Sequence, residues 1–173
     1  NDIIQSPGGV LTITDGEIDL NGRIWTLGND LTIHNTNDPE FDLNNGTLTD
    51  GAGPQTYDII ITEGTLRADG TSNVSVGNFT VNGGTVELGN GTFTVGDMLV
   101  SAGSFTQTGN NDGNTQSTGS LTVSGGTGCS WGNGTLILAG AISHTNGSLA
   151  FGNKIVTGVT TFTDSGLSSN TLY

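Results

Sequence analysis

Apolar and polar positions alternate over very short stretches along the whole chain, and glycine-bearing turns interrupt the alternation every few residues. Residues 83–109, GGTVELGNGTFTVGDMLVSAGSFTQTG, show the pattern: TVEL, TFTV, MLVS and SFTQ each set bulky apolar residues among polar or β-branched ones. A period of two predicts half-buried strands. The longest stretches without Gly, residues 29–45 (broken by Pro39) and 54–63, show no apolar residues at helical spacing. No window is long enough for a helix that stands on its own. The expected fold class is all-β, from VLTIT, EIDLN and RIWTL near the start to KIVTG and TTF near the end.

Strands this short suit a solenoid better than a sandwich, whose strands run to about 5–6 residues. In a parallel β-solenoid each strand is one side of a coil, a small turn bends the chain, and the next coil stacks above. Spacing agrees. Phe79, Leu99, Leu121, Ile142 and Phe162 fall 20, 22, 21 and 20 residues apart, and Leu20, Leu43, Leu66 and Leu88 fall 23, 23 and 22 apart. EIDLNG at 17–22 returns as EFDLNN at 40–45, a shift of 23. Coils of about 20–23 residues would make about eight coils, a rod of roughly 35–40 Å at ~4.8 Å per layer. Val86, Phe93, Leu99 and Phe105 are expected to point inward, with Gly at the bends. A Gly-rich β-sandwich or jelly roll is the alternative.

Composition narrows the function. The 173 residues suffice for one domain, with an acidic part at 1–69 holding twelve of the sixteen acids and a neutral Gly/Thr/Ser-rich part at 70–173. Three basic residues, Arg23, Arg67 and Lys154, leave a net charge of −13, so nucleic acid and anionic lipid are not expected partners. No apolar run approaches the ~20 residues that span a bilayer. The opening NDIIQSPGG has neither Met nor a basic segment, and reads as a processed or cut terminus. Cys129 is the single cysteine. It excludes an internal disulfide and is expected to be a small buried residue.

Runs such as GSLTVSGG, FTVNGGTVEL and GNGTLILAG resemble the repeats of bacterial secreted β-helix proteins, the autotransporter passengers and filamentous-haemagglutinin-type adhesins. The resemblance covers residues 60–165. It implies an extracellular right-handed β-helix acting in adhesion or surface structure, and it brings no ligand or site residue with it.

Candidate chemistry is sparse. In EIDLN and EFDLN the apolar residues would face inward, leaving Glu17, Asp19, Asn21, Glu40, Asp42 and Asn44 outward. Stacked like charges about 5 Å apart cost about 1 kcal/mol per pair even in water. A bound Ca²⁺ would reverse that sign, since carboxylate and amide oxygens are its ligands. The other reading is a solvated acidic face that keeps a sheet protein soluble. Asp15, Glu17 and Asp19 meet the carboxylate spacing of a glycosidase, as any acidic strand does, and a catalytic role is not expected. His34 and His144 lack partners at zinc spacing and are expected in turns or on the surface. Thr-x-Thr at 12/14, 47/49, 92/94, 106/108 and 161/163 follows no coil period, so β preference rather than ice binding is the expected explanation. Six N-x-[ST] sequons, at Asn45, Asn73, Asn78, Asn90, Asn133 and Asn146, are close to what this composition produces by chance.

A solenoid has two open ends, and no helix is available here to cover them. The expected function is therefore an extracellular structural protein that assembles with itself head to tail, through uncapped ends or through donation of strands such as IIQS or NTLY. A non-polymerising adhesin or a surface-glycan-binding segment of a larger protein is the alternative.

Overall fold

A computed structural model describes residues 2–5, 10–34, 37–51, 56–108 and 115–165. Among them there is no helix. The chain winds as a three-faced β-solenoid of about seven turns, with two strands of a further coil at the C-terminal end.

The first face stacks β1 (Ile3–Ile4), β4 (Ile24–Thr26), β7 (Thr47–Thr49), β10 (Asn73–Ser75), β12 (Phe93–Thr94), β14 (Thr115–Thr118), β17 (Gly134–Leu138) and β20 (Lys154–Thr157). The second stacks β2 (Leu11–Ile13), β5 (Leu31–Ile33), β8 (Ile59–Ile61), the start of β11 (Phe79–Leu88), the start of β13 (Met98–Gln107), β15 (Leu121–Val123), β18 (Ile142–His144) and β21 (Phe162–Asp164). The third stacks β3 (Glu17–Asp19), β6 (Glu40–Asp42), β9 (Thr65–Ala68), the ends of β11 and β13, β16 (Gly128–Ser130) and β19 (Leu149–Ala150). Every strand pairing is parallel. Parallel pairing removes the sandwich alternative, which needs antiparallel hairpins.

Side chains that alternate along each strand fill the axis of the coil. Leu31, Ile59, Phe79, Met98, Leu121 and Ile142 stack up the second face. Phe41, Leu66, Val86, Phe105 and Cys129 stack up the third, and all of these are buried. Aromatic rings bridge the faces in the middle: Phe93 lies 5.1 Å from Phe79 and 5.6 Å from Phe105, and Phe105 lies 4.7 Å from Trp131. Such pairs add about 0.5–1.5 kcal/mol beyond their buried area.

Two expected ladders shift by a residue or two. Met98, not Leu99, stacks on Phe79, and Leu99 stands outward beside Thr80 and Thr122. Leu66 sits over Phe41, so Ala68 rather than Leu66 falls in line with Leu43 and Leu88. The bends explain the glycines where the chain cannot turn otherwise. β11 and β13 run from the second face into the third without a break, with register shifts between Val81 and Thr85. Gly103 takes φ +73 there, and a Cβ would collide with the carbonyl oxygen of Gly84 in the coil below.

Candidate functional site

The acidic face forms as the EIDLN and EFDLN repeat predicts. Glu17 stacks on Glu40 and Asp19 on Asp42 in β3 and β6, with Leu20, Phe41 and Leu43 buried and Ile18 half-buried behind them. Asn21 and Asn44 end these strands at positive φ, 46° and 40°, which Asn tolerates better than most residues. Their backbone N–H groups donate to Asp19 Oδ1 and Asp42 Oδ1, both at 2.8 Å, and Asn44 Nδ2 donates to Asp19 Oδ2 at 3.3 Å. Arg67 stands one coil further on. It donates to Glu40 and, at 3.0 Å, to Glu87 Oε2. The hydrogen bond to Glu87 and the nearby charges of Glu40 and Asp42 raise its pKa further, against a lowering from partial burial. The repulsion in the ladder is thus met partly by one guanidinium and partly by backbone donors. No group of three or more His, Cys, Asp or Glu among the described residues is arranged to hold a metal ion.

The corner between the first and second faces carries a second polar ladder, one not expected from the sequence. Asp30 Oδ1 accepts the N–H of Asp58, Asp58 Oδ1 that of Asn78, Asn78 Oδ1 that of Asp97, and Asp97 Oδ1 that of Ser120, at 2.7–2.9 Å. Each side chain caps the backbone of the next coil at the same corner. The signal was present: each of these polar residues directly precedes an apolar run, in DLTI, DIII, NFTV, DMLV and SLTV. Above this corner an open groove of about 460 Å³ runs along Asn78, Thr80, Asp97, Leu99 and Thr122. Four of the sequon asparagines bridge coils through their side chains: Asn78 in this ladder, Asn45 to Thr71, Asn73 to Thr92 and Asn133 to Asn153.

Polar groups also occur inside the rod, toward its C-terminal end. His144 is buried rather than in a surface turn, which corrects the expectation from sequence. Its Nδ1 lies 3.2 Å from Asp164 Oδ1, and its Nε2 lies 3.3 Å from Gly147 O. Asp164 is one coil away in the chain, a relation that local spacing does not reveal. Lys154 is buried too; its ammonium donates to Gln116 Oε1 and, at 2.5 Å, to the carbonyl of Asn133, and burial pulls its pKa down to about 8. His34 is exposed, its Nδ1 2.6 Å from Thr62 Oγ1. Cys129 is buried as expected, and burial pushes its thiol up to about 12, far from thiolate reactivity at neutral pH.

Compared with protein-family models, curated proteins and solved structures, the chain matches none of them.

Proposed function

We propose that this chain is a structural, non-catalytic rod of an extracellular or cell-surface filament, in which copies join end to end. The observation that supports this reading is the state of the inward positions at the two ends. Inward residues in the middle coils are buried, but Ile3 and Phe162 are 39% and 38% exposed although they stack on the buried Trp25 and Ile142. Leu11, Ile18 and Val156, also inward, are only partly covered. β1, β2 and β3 pair on one side only, with β4, β5 and β6. Another coil laid on either end would bury these residues and complete the ladders.

The end strands pair in parallel with their neighbours like all the others, so the C-terminal edge of one copy can meet the N-terminal edge of the next with the strand polarity kept. A contact of that type does not close on itself and yields an open filament. The charges that point inward at the C-terminal end do not obstruct the joint, because Lys154 is already bonded to Gln116 and Asn133, and Asp164 to His144. Donation of the segment 170–173 lies outside the described residues. Ile3 and Ile4 pair with β4 of their own chain.

Electron microscopy at several concentrations tests the proposal. Filaments should appear as concentration rises, with a subunit rise of roughly 35–40 Å, seven or eight layers of ~4.8 Å. Phe162→Asp, which puts a carboxylate into the joint, should abolish them. A protein that stays monomeric at every concentration would overturn end-joining and favour a segment within a longer adhesin.

A further inference from the structure

The first face differs from the other two in what it turns outward. Its strands pair across all seven junctions without a register shift. Outward positions therefore form straight rows along the rod. One row runs Thr26, Thr49, Ser75, Thr94, Ser117. The row beside it, two residues earlier in each strand, includes Thr47, Asn73 and Thr135. Ile4, Ile24, Ile137 and Ile155 occupy the same two rows toward the ends of the rod, and they are four of the eight large hydrophobics exposed on the described surface.

The strands of this face turn no charge outward. Among sixteen acids and three bases in the chain, the only charged residue in any first-face strand is Lys154, and it points inward. In the same coils the third face stacks Glu17 on Glu40 and Asp19 on Asp42.

The rows make a grid of about 4.8 Å along the rod and about 6.6 Å across each strand. Thr and Ile are stiff at χ1, so methyl and hydroxyl groups are held at fixed points of the grid. Methyl groups order the water against them into cages, and hydroxyls anchor that water by hydrogen bonds. Both repeats lie close to those between water molecules in planes of hexagonal ice. A charged side chain would orient its own hydration shell and break such order. The other candidate occupants lack what they need. No aromatic ring faces outward here for a sugar to stack on, since Trp25 and Phe93 point inward. A protein partner would want aromatic or Arg anchors, and nucleic acid would want cations.

We infer that the first face is an ice-binding surface, which holds ordered water that merges with a crystal plane of ice. The Thr-x-Thr spacing in the sequence conceals it, because only 47/49 and 92/94 belong to this face. Further hydroxyls of the rows come from Thr26, Ser75, Ser117, Thr135 and Thr157. The inference does not depend on end-joining.

The test is growth of ice from a dilute solution of the whole chain. The wild type should be taken up into slowly grown ice and should facet small crystals held just below the melting point. Thr94→Glu should lose both effects, and Ser130→Glu on the third face should keep both. Thr49→Tyr, a neutral but bulky change, serves as a second first-face variant should Thr94→Glu fold poorly. Exclusion of the wild type from ice, with round unfaceted crystals, would overturn the inference. So would first-face variants that shape ice as the wild type does. Side-by-side association of copies, or sedimentation with an insoluble neutral polysaccharide, without uptake into ice would assign the face to that other occupant and equally overturn it.

Discussion

The first and third faces are built on the same coils and meet the same demand in opposite ways. In a parallel, in-register stack every outward side chain has its own counterpart one coil away. On the first face the rule sets Thr26 beside Thr49, and the row continues unbroken through Ser75, Thr94 and Ser117. On the third face it sets Glu17 beside Glu40 and Asp19 beside Asp42, and the next coil answers with Arg67 between Glu40 and Glu87. A neutral residue can repeat without limit, whereas a repeated charge needs a counter-charge or a donor within a coil or two. The acidic face is short for that reason.

The comparison breaks most sharply at the core, which both faces share. Phe93→Ala behind the first face and Phe105→Ala behind the third should each cost about 3–5 kcal/mol in a urea melt, since both rings pack in one cluster. Strongly unequal losses would mean that the faces do not share an interior.

A smaller effect concerns the one charge in the first-face strands, which lies inside. Burial lowers the Lys154 pKa from 10.5 to about 8. Between those values the unfolded chain binds more protons than the folded one, so folding becomes more favourable as pH rises through that window. At about 1.36 kcal/mol per pKa unit the gain is on the order of 2–3 kcal/mol. Cys129, raised by burial to about 12, acts the other way above about pH 9, where the unfolded thiol ionises first. Subtracting the melts of Lys154→Met cancels that contribution. The wild type should gain on the variant from pH 8 to 10.5; a flat difference would show that Lys154 is not held in a desolvated site.

On the third face Arg67→Gln should cost about 1 kcal/mol or less, because the pair is partly exposed, and the loss should shrink in high salt. A salt-independent loss would point to packing instead of charge. The smallest expected effect is that of calcium. Asp19, Asp42 and Glu40 already accept from Asn21, Asn44 and Arg67, so millimolar Ca²⁺ should leave the Tm unchanged. A rise of several degrees would instead establish Ca²⁺ on Glu17, Asp19, Asn21, Glu40, Asp42 and Asn44.

The coil was legible in the sequence because EIDLN and EFDLN preserve both register and facing, and the structure pairs them residue for residue. Facing was lost where three apolar residues stand together. In Met98–Leu99–Val100 alternation alone cannot decide which residue points inward, and Leu99 turned out to be outward. The leucine ladder slipped at Leu66 because the third coil is longer: Asp58 lies 28 residues beyond its neighbour Asp30, whereas the later steps of that corner ladder are 19–23. Unequal coil lengths also hid the Thr rows, which become visible only once the register is known. Polar residues inside the rod, His144 and Lys154, defeat any rule that sends polar side chains outward, since Asp164 and Gln116, which meet them there, lie 20 and 38 residues away.

End-joining is tested most directly by amide hydrogen exchange as a function of protein concentration. Exchange should slow with concentration in β1, β2 and β3 at one end and in β20 and β21 at the other, and stay unchanged in β10 and β12. Exchange at the end strands that is equally fast from dilute to concentrated solution would contradict a filament joined through its ends.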